Sequence, residues 1–175
     1  MRIISGTHKG RRITAPKKLP SPPTTDRSKE GLFNILQHRL DFETLNVLDL
    51  FSGTGNISYE FASRGVAKIT AVDQNRHCVN FIKTTALDLE LNIESLQSEC
   101  HKFLEKNATN YDIIFGDAPY KWEEKEYFKL IIEAKKKLNK SGLIILEHNK
   151  FIDLSTGQGF DFSRTYGGSV FSFFK

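Results

Sequence analysis

From residue 46 onward, short apolar runs alternate with segments in which apolar residues recur every three or four positions. Runs rich in β-branched and aromatic residues predict strands, and the three-to-four spacing predicts amphipathic helices. The predicted strands are NVLDLF, AKITAVD, ESLQSE, YDIIFGD and SGLIILEHN. The helices between them are predicted over NISYEFAS up to Gly65, from Asn75 to about Leu91, over CHKFLEKN, and from Glu123 to Leu138.

The C-terminal segment has a different pattern. GFDFSRTYGGSVFSFFK contains two aromatic-rich runs that meet at Gly167-Gly168, a dipeptide typical of hairpin turns. Strands that alternate with helices pair in parallel, whereas the strands of a hairpin pair antiparallel. The pattern therefore predicts an α/β fold with a mostly parallel seven-stranded sheet and an antiparallel C-terminal hairpin. Ligands of such open sheets bind at the carboxyl ends of the strands.

Residues 1–23 have a pattern of their own. RIIS and RRIT flank the glycine-bounded turn GTHKG, which predicts a β-hairpin. The segment APKKLPSPP holds four of the five prolines, so it is predicted to be an extended linker. Thr24 or Thr25 is then placed to cap a helix from Asp26 to about Arg39. We therefore expect a hairpin arm with its linker over residues 1–23 and the main domain over residues 24–175.

Charge is distributed unevenly along the chain. The first 29 residues hold eight Lys and Arg against one acid, whereas the whole chain of 175 residues has a net charge of +4. A basic arm on a mildly acidic body is typical of proteins that bind a polyanion. A solvated charged terminus would have the same composition, so charge alone leaves both interpretations open. The arm cations considered for binding are Arg2, Lys9, Arg11, Arg12, Lys17 and Lys18.

Composition disfavours several classes of protein. No apolar run approaches the roughly 20 residues that a membrane-spanning helix requires, and the N-terminal residues contain no apolar signal sequence. The two cysteines lack CxxC spacing and the five histidines form no HExxH pair. We therefore expect reduced thiols, no metal site, and a cytoplasmic protein with one main domain.

The first predicted strand runs into the glycine-rich stretch DLFSGTGNIS. Gly53 and Gly55 allow a tight turn into the next helix and a close approach of the backbone to a ligand. A dinucleotide-binding loop would need a third glycine where Ser58 stands. Asp49 lies four residues before Gly53, where a carboxylate would repel a pyrophosphate but would suit a positively charged ligand such as S-adenosylmethionine.

Acidic residues also end the next three predicted strands. Asp73 follows the second strand, where it is suited to accept hydrogen bonds from ribose hydroxyls or to cap the next helix. Glu99 follows the third strand as a candidate acceptor for an adenine amine, and a solvated surface acid is the alternative. The fourth strand ends in Asp117-Ala118-Pro119-Tyr120, which puts a carboxylate, a backbone carbonyl and a ring at the ligand-binding edge.

Together these motifs resemble those of the amino-methyltransferases, whose signature is Asp, Asn or Ser followed by Pro-Pro and Tyr or Phe. More closely, the chain is similar over its whole length to the RsmD-type enzymes, which methylate the exocyclic N2 amine of a guanine in small-subunit ribosomal RNA. The stretches that carry the resemblance are MRIISGTHKGRRI, TTDRSKEGLFNIL, DLFSGTG, SRG, FGDAPY and RTYGGS.

The resemblance implies a Rossmann-like class I methyltransferase fold with S-adenosylmethionine as methyl donor. It implies 16S ribosomal RNA, or an assembling small subunit, as the partner, with arm cations that bind RNA phosphates. We expect the protein to be a monomer. Asp117 and the carbonyl of Ala118 would accept hydrogen bonds from the target amine, and Tyr120 would stack on the base beside Pro119. The cofactor-binding residues that it implies are Asp49, Phe51, Ser52, Gly53, Gly55, Asp73, Glu99, Cys100 and Asp117.

The chain departs from the family pattern at several positions. Ala118 stands where proline is usual; because alanine keeps the carbonyl but frees one φ angle, we expect retained activity with a more mobile loop. Asp73 replaces the commoner glutamate and Glu99 the commoner aspartate, which alters only the reach of each carboxylate. Ser21-Pro22-Pro23 stands where an arginine-containing segment is usual, so one phosphate or cofactor contact there is not expected.

Some residues beside the motifs have two possible roles. Lys121 and Trp122 follow Tyr120 and are placed to contact the flipped base, but we favour packing on the following helix for Trp122. His148, Arg164 and Tyr166 are expected to be structural.

Two functional alternatives stay open. The first is a different target base: adenine N6 and cytosine N4 are planar exocyclic amines like guanine N2, so the motif Asp-x-Pro-Tyr does not indicate which of the three is methylated. Ala118 also leaves room for a catalytically silent RNA-binding module on the same fold, although the other motif residues are intact.

Overall fold

A computed structural model describes residues 1–16, 19 and 25–175. Most of the predicted linker therefore lies outside the described residues, as do Lys17, Lys18, Thr24 and Ser21-Pro22-Pro23. The strands of the described part are β1 (Asn46–Leu50), β2 (Lys68–Asp73), β3 (Ile93–Gln97), β4 (Tyr111–Asp117), β5 (Leu138–Asn149), β6 (Phe160–Tyr166) and β7 (Ser169–Phe174). The helices are α1 (Asp26–Gln37), α2 (Asn56–Ser63), α3 (Arg76–Asp88), α4 (Cys100–Lys106) and α5 (Glu124–Lys135), with a short 3-10 helix over Phe42–Thr44.

These strands form one sheet in the order β3-β2-β1-β4-β5-β7-β6. Neighbours from β3 to β5 pair in parallel, whereas β7 pairs antiparallel with β5 and β6. The prediction of a mostly parallel sheet with an antiparallel C-terminal hairpin is confirmed. In this order β2 lies on one side of β1 and β4 on the other, so the direction in which strands are added reverses at β1. Such a reversal opens a crevice at the carboxyl ends of the strands. Among the described residues, no helix has the length and apolar character needed to cross a membrane.

Both faces of the sheet are buried, which explains its unbroken apolar strands. In β1, Leu48 belongs to the apolar cluster that contains Tyr127 of α5, and Val47 belongs to the cluster that contains Phe33 of α1 and Phe61 of α2. Successive side chains of a strand point to opposite faces. A strand covered by helices on both faces therefore needs apolar residues at consecutive positions.

Several boundaries differ from the predicted ones. The helix predicted up to Leu138 is too long, because α5 ends at Lys135 and β5 begins at Leu138. Leu138 pairs with Tyr111 at the start of β4. This pairing draws the end of the lysine-rich segment into the sheet and overrides its helical propensity.

The first helix confirms one of the two predicted caps. Thr25 is the N-cap of α1, and its side chain accepts a backbone N–H from the first turn. The helices α1 and α3 end at Gln37 and Asp88, which is earlier than the predicted Arg39 and Leu91.

The N-terminal arm, defined here as residues 1–13, forms a smaller hairpin than predicted. Its two sides meet in one antiparallel bridge between Arg2 and Arg12 instead of in two paired strands. Ile3 and Ile13 are buried in an apolar cluster with Tyr59 of α2. The arm is therefore packed on the main domain.

Backbone hydrogen bonds join the two sides of the arm, such as that from Ile3 to the carbonyl of Arg11 at 3.0 Å, and side chains of the main domain hold the arm in place. The buried carboxylate of Glu60 accepts the backbone N–H groups of Ile4 at 2.7 Å and Ser5 at 3.1 Å. The Nζ of Lys29, also buried, lies 3.4 Å from Glu60 and donates a hydrogen bond to the carbonyl of Arg2 at 2.7 Å. Because these backbone groups already have partners, the arm needs no regular ladder to satisfy them.

Candidate active site

A cleft of about 620 Å³ opens at the carboxyl ends of β1, β2, β4 and β5. It brings together most of the residues that the sequence suggested for cofactor and base. Those that line it are Phe51, Gly53, Asp73, Glu99, Cys100, Asp117, Ala118, Pro119 and Tyr120. Three others do not line the cleft and are buried in the same strand end and loop, namely Asp49, Ser52 and Gly55.

The loop between β1 and α2 has a strained, compact backbone. Phe51, Gly53 and Gly55 all have positive φ angles, of 60°, 52° and 84°. A Cβ on Gly55 would lie 2.7 Å from the ring of Tyr59, so glycine is needed there for packing. Phe51 is not a glycine, so its φ of 60° is strained, and such strain is typical of functional loops. Its ring packs edge-on against Trp122, with centroids 5.2 Å apart.

Asp49 is a buried carboxylate at the end of β1, only 2% exposed. One of its oxygens accepts a hydrogen bond from the hydroxyl of Ser58 at 2.5 Å. Burial raises the pKa of Asp49 to about 7, and the charge of Asp73 adds to this rise. A nearby cation would favour its charged form, so the position suits the positively charged ligand that the sequence suggested.

Asp73 connects the loops after β1 and β2. Its two carboxylate oxygens accept the backbone N–H groups of Gly53 and Asn75, each at 2.8 Å. The alternative role as a helix cap is wrong, because Asn75 is the N-cap of α3. Asp73 is half-buried and lines the cleft, where its carboxylate can also face a ligand.

Glu99 is the N-cap of α4. Its side chain accepts the backbone N–H groups of His101 and Lys102, and the thiol of Cys100 donates to it at 3.0 Å. Burial acts to raise the pKa of Glu99, but these hydrogen bonds outweigh it and the pKa is lowered. The suggested surface acid is therefore a capping residue, and its role toward adenine stays a prediction.

The segment after β4 presents three different groups to the cleft. Asp117 is half-buried, and burial, followed by the charges of Glu147 and Asp49, raises its pKa well above the ordinary value. Ala118 is 6% exposed and packs in the apolar core. Tyr120 is 72% exposed, so its ring face is accessible at the mouth of the cleft.

Trp122 packs on the following helix, as we favoured, and it also lines the cleft together with Lys121, so contact of either residue with a base stays a prediction. The Trp122 ring stacks on the His101 ring, with centroids 5.7 Å apart and an interplanar angle of 9°. It also meets Tyr127 of α5 edge-on at 5.6 Å. Tyr120 is therefore the ring of this segment that is best exposed for a base.

The three residues expected to be structural make internal contacts. His148 is buried, with its Nε2 2.8 Å from the hydroxyl of Ser172, and burial lowers its pKa. The guanidinium of Arg164 lies over the ring of Phe162 at 4.9 Å. Tyr166 packs so closely on α1 that a Cβ on Gly31 would lie 2.2 Å from its ring.

Glu147 was not considered from the sequence, although it lines the cleft. It is 5% exposed and is the register partner of Asp117 across β4 and β5. The signal was present in IILEHN, where an acid follows apolar residues at the carboxyl end of a buried strand. Its neighbour across the sheet could not be known before the strand order was known.

One group of possible metal ligands occurs among the described residues. The ligand atoms of Glu99, Cys100 and His101 all lie within 4.8 Å of one another. Each already has a protein partner: Glu99 binds the start of α4, Cys100 donates to Glu99, and His101 binds Glu133. The absence of a metal site stays a prediction.

The described arm cations are exposed. Arg2, Lys9, Arg11 and Arg12 all lie at the surface, and Arg2 forms an exposed ion pair with Asp26 at 3.3 Å. Exposed ion pairs contribute little to stability. These side chains are therefore available to a partner.

The sheet order, the reversed β7 and the cleft at the strand ends are those of the class I methyltransferases. The family described as conserved hypothetical protein 95 matches residues 1–175, and the chain belongs to this family. It is a methyltransferase of the RsmD type.

Two relatives show the extent of the similarity in sequence. The chain is 31% identical to YlbH of Bacillus subtilis over 159 residues, which are 88% of this chain and 85% of that protein. It is 32% identical to ribosomal RNA small subunit methyltransferase D of Buchnera aphidicola from Acyrthosiphon pisum over 151 residues, which are 85% of this chain and 78% of that protein.

Two solved structures show the similarity in fold. The methyltransferase yhhF of Escherichia coli superposes with a TM-score of 0.83 and 25% identity, over 99% of this chain and 96% of that one. The 16S rRNA N2 G1207 methyltransferase RsmC of Thermus thermophilus, solved with AdoMet and guanosine, has a TM-score of 0.73 and 21% identity, over 90% of this chain and 45% of that one.

Proposed function

We propose that the protein transfers the methyl group of S-adenosylmethionine to the exocyclic N2 amine of a guanine in small-subunit ribosomal RNA. The observation that carries this proposal is the cleft edge lined by Asp117, Ala118 and Tyr120, beside the glycine loop after β1. The similarity to ribosomal RNA small subunit methyltransferase D supports the choice of RNA and subunit.

The residues of the cleft fit S-adenosylmethionine. Its sulfonium and ammonium groups are cationic, and the raised pKa values of Asp49 and Asp117 mark an edge at which added positive charge would be stabilising. Asp73 is suited to the ribose hydroxyls, and Gly53 lets the backbone approach the ligand. When bound, the cofactor supplies a methyl group that is already activated by the sulfonium charge.

The protein must then activate a weak nucleophile. The lone pair of the guanine amine is delocalised into the ring. Asp117 and the carbonyl of Ala118 accept hydrogen bonds from its two N–H groups, which turns the lone pair toward the methyl group. Tyr120 stacks on the base and fixes its plane, at about 1–3 kcal/mol per stacked base. Positioning and electrostatics would provide most of the acceleration. The methyl–sulfur bond would break as the C–N bond forms, the neutral thioether would leave, and the proton of the amine would pass to Asp117 or to water.

The arm supports the choice of a nucleic-acid substrate. Its exposed cations lie on a segment that Glu60 fixes to α2, the helix that begins at the glycine loop after β1. A cationic segment in a fixed position can bind phosphates around a base that has been flipped into the cleft.

Labelled-methyl transfer to small subunits isolated from a strain that lacks the gene tests the proposal. We expect the label in one N2-methylated guanosine, with transfer reduced at least about 100-fold in Asp117→Ala because an amine acceptor is lost. The exposed Asp88→Ala serves as the matched control and should keep full activity. Label on adenine or cytosine, or on DNA alone, would overturn the proposal. No binding of S-adenosylmethionine in a calorimetric titration would also overturn it.

A further inference from the structure

Beside Asp117 lies a second buried carboxylate, which the mechanism above does not use. Glu147 of β5 is 5% exposed and lines the same cleft. Asp117 and Glu147 are direct partners in the parallel register of β4 and β5. Parallel neighbours are about 5 Å apart and send paired side chains to the same face of the sheet. The two carboxylates are therefore placed side by side at the edge that would receive the base.

The charge of Glu147 reaches the groups that would surround the base. After burial, Glu147 is the next cause of the raised pKa of Asp117. The pKa of Tyr120 is raised by burial and then by the charges of Asp117 and Glu147. Two acids close together in a buried site oppose folding, and such pairs are frequent at functional sites. Glu147 thus belongs to the same electrostatic unit as the proposed base-binding residues.

The possible target bases differ at the ring nitrogen next to the amine. In guanine, N1 beside the N2 amine carries a hydrogen. In adenine, N1 beside the N6 amine has a lone pair, and N3 beside the N4 amine of cytosine has one as well. Glu147 acts on Asp117 as a negative charge, which raises the pKa of Asp117. An ionised carboxylate only accepts hydrogen bonds. It therefore pairs with the guanine edge and repels the corresponding edge of the other two bases.

We propose that Glu147 accepts a hydrogen bond from N1–H of the target guanine while Asp117 binds its N2 amine, so that Glu147 determines the preference of the site for guanine. This inference rests on the proposed function, because it assigns the base selectivity of that same cleft. Two neighbouring carboxylates match the two neighbouring donors of guanine. The motif Asp-x-Pro-Tyr supplies only the part of this recognition that all three amines share.

The test replaces the target guanine, once mapped, with 2-aminopurine in ligated rRNA that is reconstituted into small subunits. This base keeps the amine at C2 but has no hydrogen on N1. We expect the wild type to prefer guanine by about 100-fold in kcat/KM, since the bare N1 faces a carboxylate. In Glu147→Gln, kcat/KM for guanine should fall by about 10- to 100-fold. The preference should shrink to within about threefold, because the amide can donate to the bare nitrogen or accept from N1–H.

Two further variants separate this role from a structural one. Glu147→Asp keeps a charged acceptor and should retain a preference for guanine of at least about tenfold. Glu105→Gln, at an exposed position of α4, should match the wild type on both bases. Thermal unfolding and S-adenosylmethionine titration verify that each variant is folded and binds the cofactor.

The outcomes distinguish the two proposals. If Glu147→Gln loses the same factor on both bases, so that the preference is unchanged, Glu147 is only structural and the inference fails while the proposed function stands. The inference also fails if Glu147→Asp loses the preference. If the wild type labels adenine or cytosine, or labels no base, the proposed function fails first and the inference fails with it.

Discussion

At the scale of single residues, the unusual feature is a group of acids at the carboxyl edge of the sheet. Asp49 is buried, Asp117 is half-buried, and both have raised pKa values. Burial of a carboxylate opposes its ionisation, and neighbouring negative charge opposes it further. The edge is therefore adjusted to receive positive charge, which is what a sulfonium cofactor brings.

The pKa of about 7 at Asp49 predicts a dependence of stability on pH. Between about pH 4 and pH 7 the folded protein keeps this group protonated, whereas the unfolded chain ionises it near pH 3.9. Its contribution to stability is therefore present below about pH 4 and is lost as the pH rises toward 7. Urea unfolding at a series of pH values should show this fall in the ligand-free wild type.

The variant Asp49→Asn isolates this contribution. The difference in unfolding free energy between wild type and variant should change by up to about 1.4 kcal/mol per pH unit within that window. Saturating S-adenosylmethionine should weaken the dependence, because a cation favours the ionised form. Identical pH profiles for the two proteins would contradict the raised pKa.

Ala118 gives a second prediction at this scale. Ala118→Pro locks one φ angle in the loop that is proposed to bind the base, which removes about 0.4–1 kcal/mol of conformational entropy. We expect turnover of the wild type to be measurable and that of Ala118→Pro to be about two- to fivefold higher. Steady-state methyl transfer on small subunits measures both. A wild type without any activity that is rescued by proline would refute the prediction.

At the scale of elements, the arm depends on ionic contacts in the interior. Lys29 and Glu60 are fully buried and lie 3.4 Å apart, and Arg64 donates to Glu60 at 2.8 Å. Glu60 also binds two backbone N–H groups of the arm. One carboxylate therefore joins the arm, α1 and α2.

Glu60→Gln should be strongly destabilising. The substitution leaves the buried charge of Lys29 uncompensated, which costs about 3–5 kcal/mol of unfolding free energy. Asp26→Asn is the matched control, because it breaks the exposed pair with Arg2 and should cost less than about 1 kcal/mol. Urea denaturation measures both variants. Equal, small losses would show that the buried pair does not stabilise the fold.

At the scale of the whole molecule, the asymmetry of charge predicts how RNA binds. The exposed Arg11 and Arg12 lie on the arm, whereas residues 30–175 hold 20 acids against 17 Lys and Arg. Replacing both with alanine should lower the slope of log affinity against log salt by about two, since each cation releases about one counterion. Filter binding to small-subunit rRNA at several salt concentrations measures the slope.

The matched control for the arm is a pair of exposed lysines elsewhere. Lys106 ends α4 and Lys136 follows α5, and their double replacement with alanine should leave the slope unchanged. Binding of S-adenosylmethionine should be the same in all three proteins. An equal change of slope for both double variants would assign RNA binding to charge in general and not to the arm.

The sequence by itself determined the order of the elements, the antiparallel end of the sheet and the loop with Gly53 and Gly55. These features depend on local information, namely the period of apolar residues and the residues that turns require. The signature at Asp117 to Tyr120 could be found for the same reason, since its groups are adjacent in the chain.

Only the tertiary structure decided which distant residues meet. It placed Glu147 opposite Asp117, joined the arm to Glu60, and made Glu99 a helix cap. Sheet order, burial and register depend on pairings between segments far apart in the chain. The sequence of one strand does not specify which residue of the neighbouring strand lies beside each of its own residues. The sequence therefore identified Asp117, the acid proposed to bind the amine, and the fold supplied the second acid, Glu147, beside it.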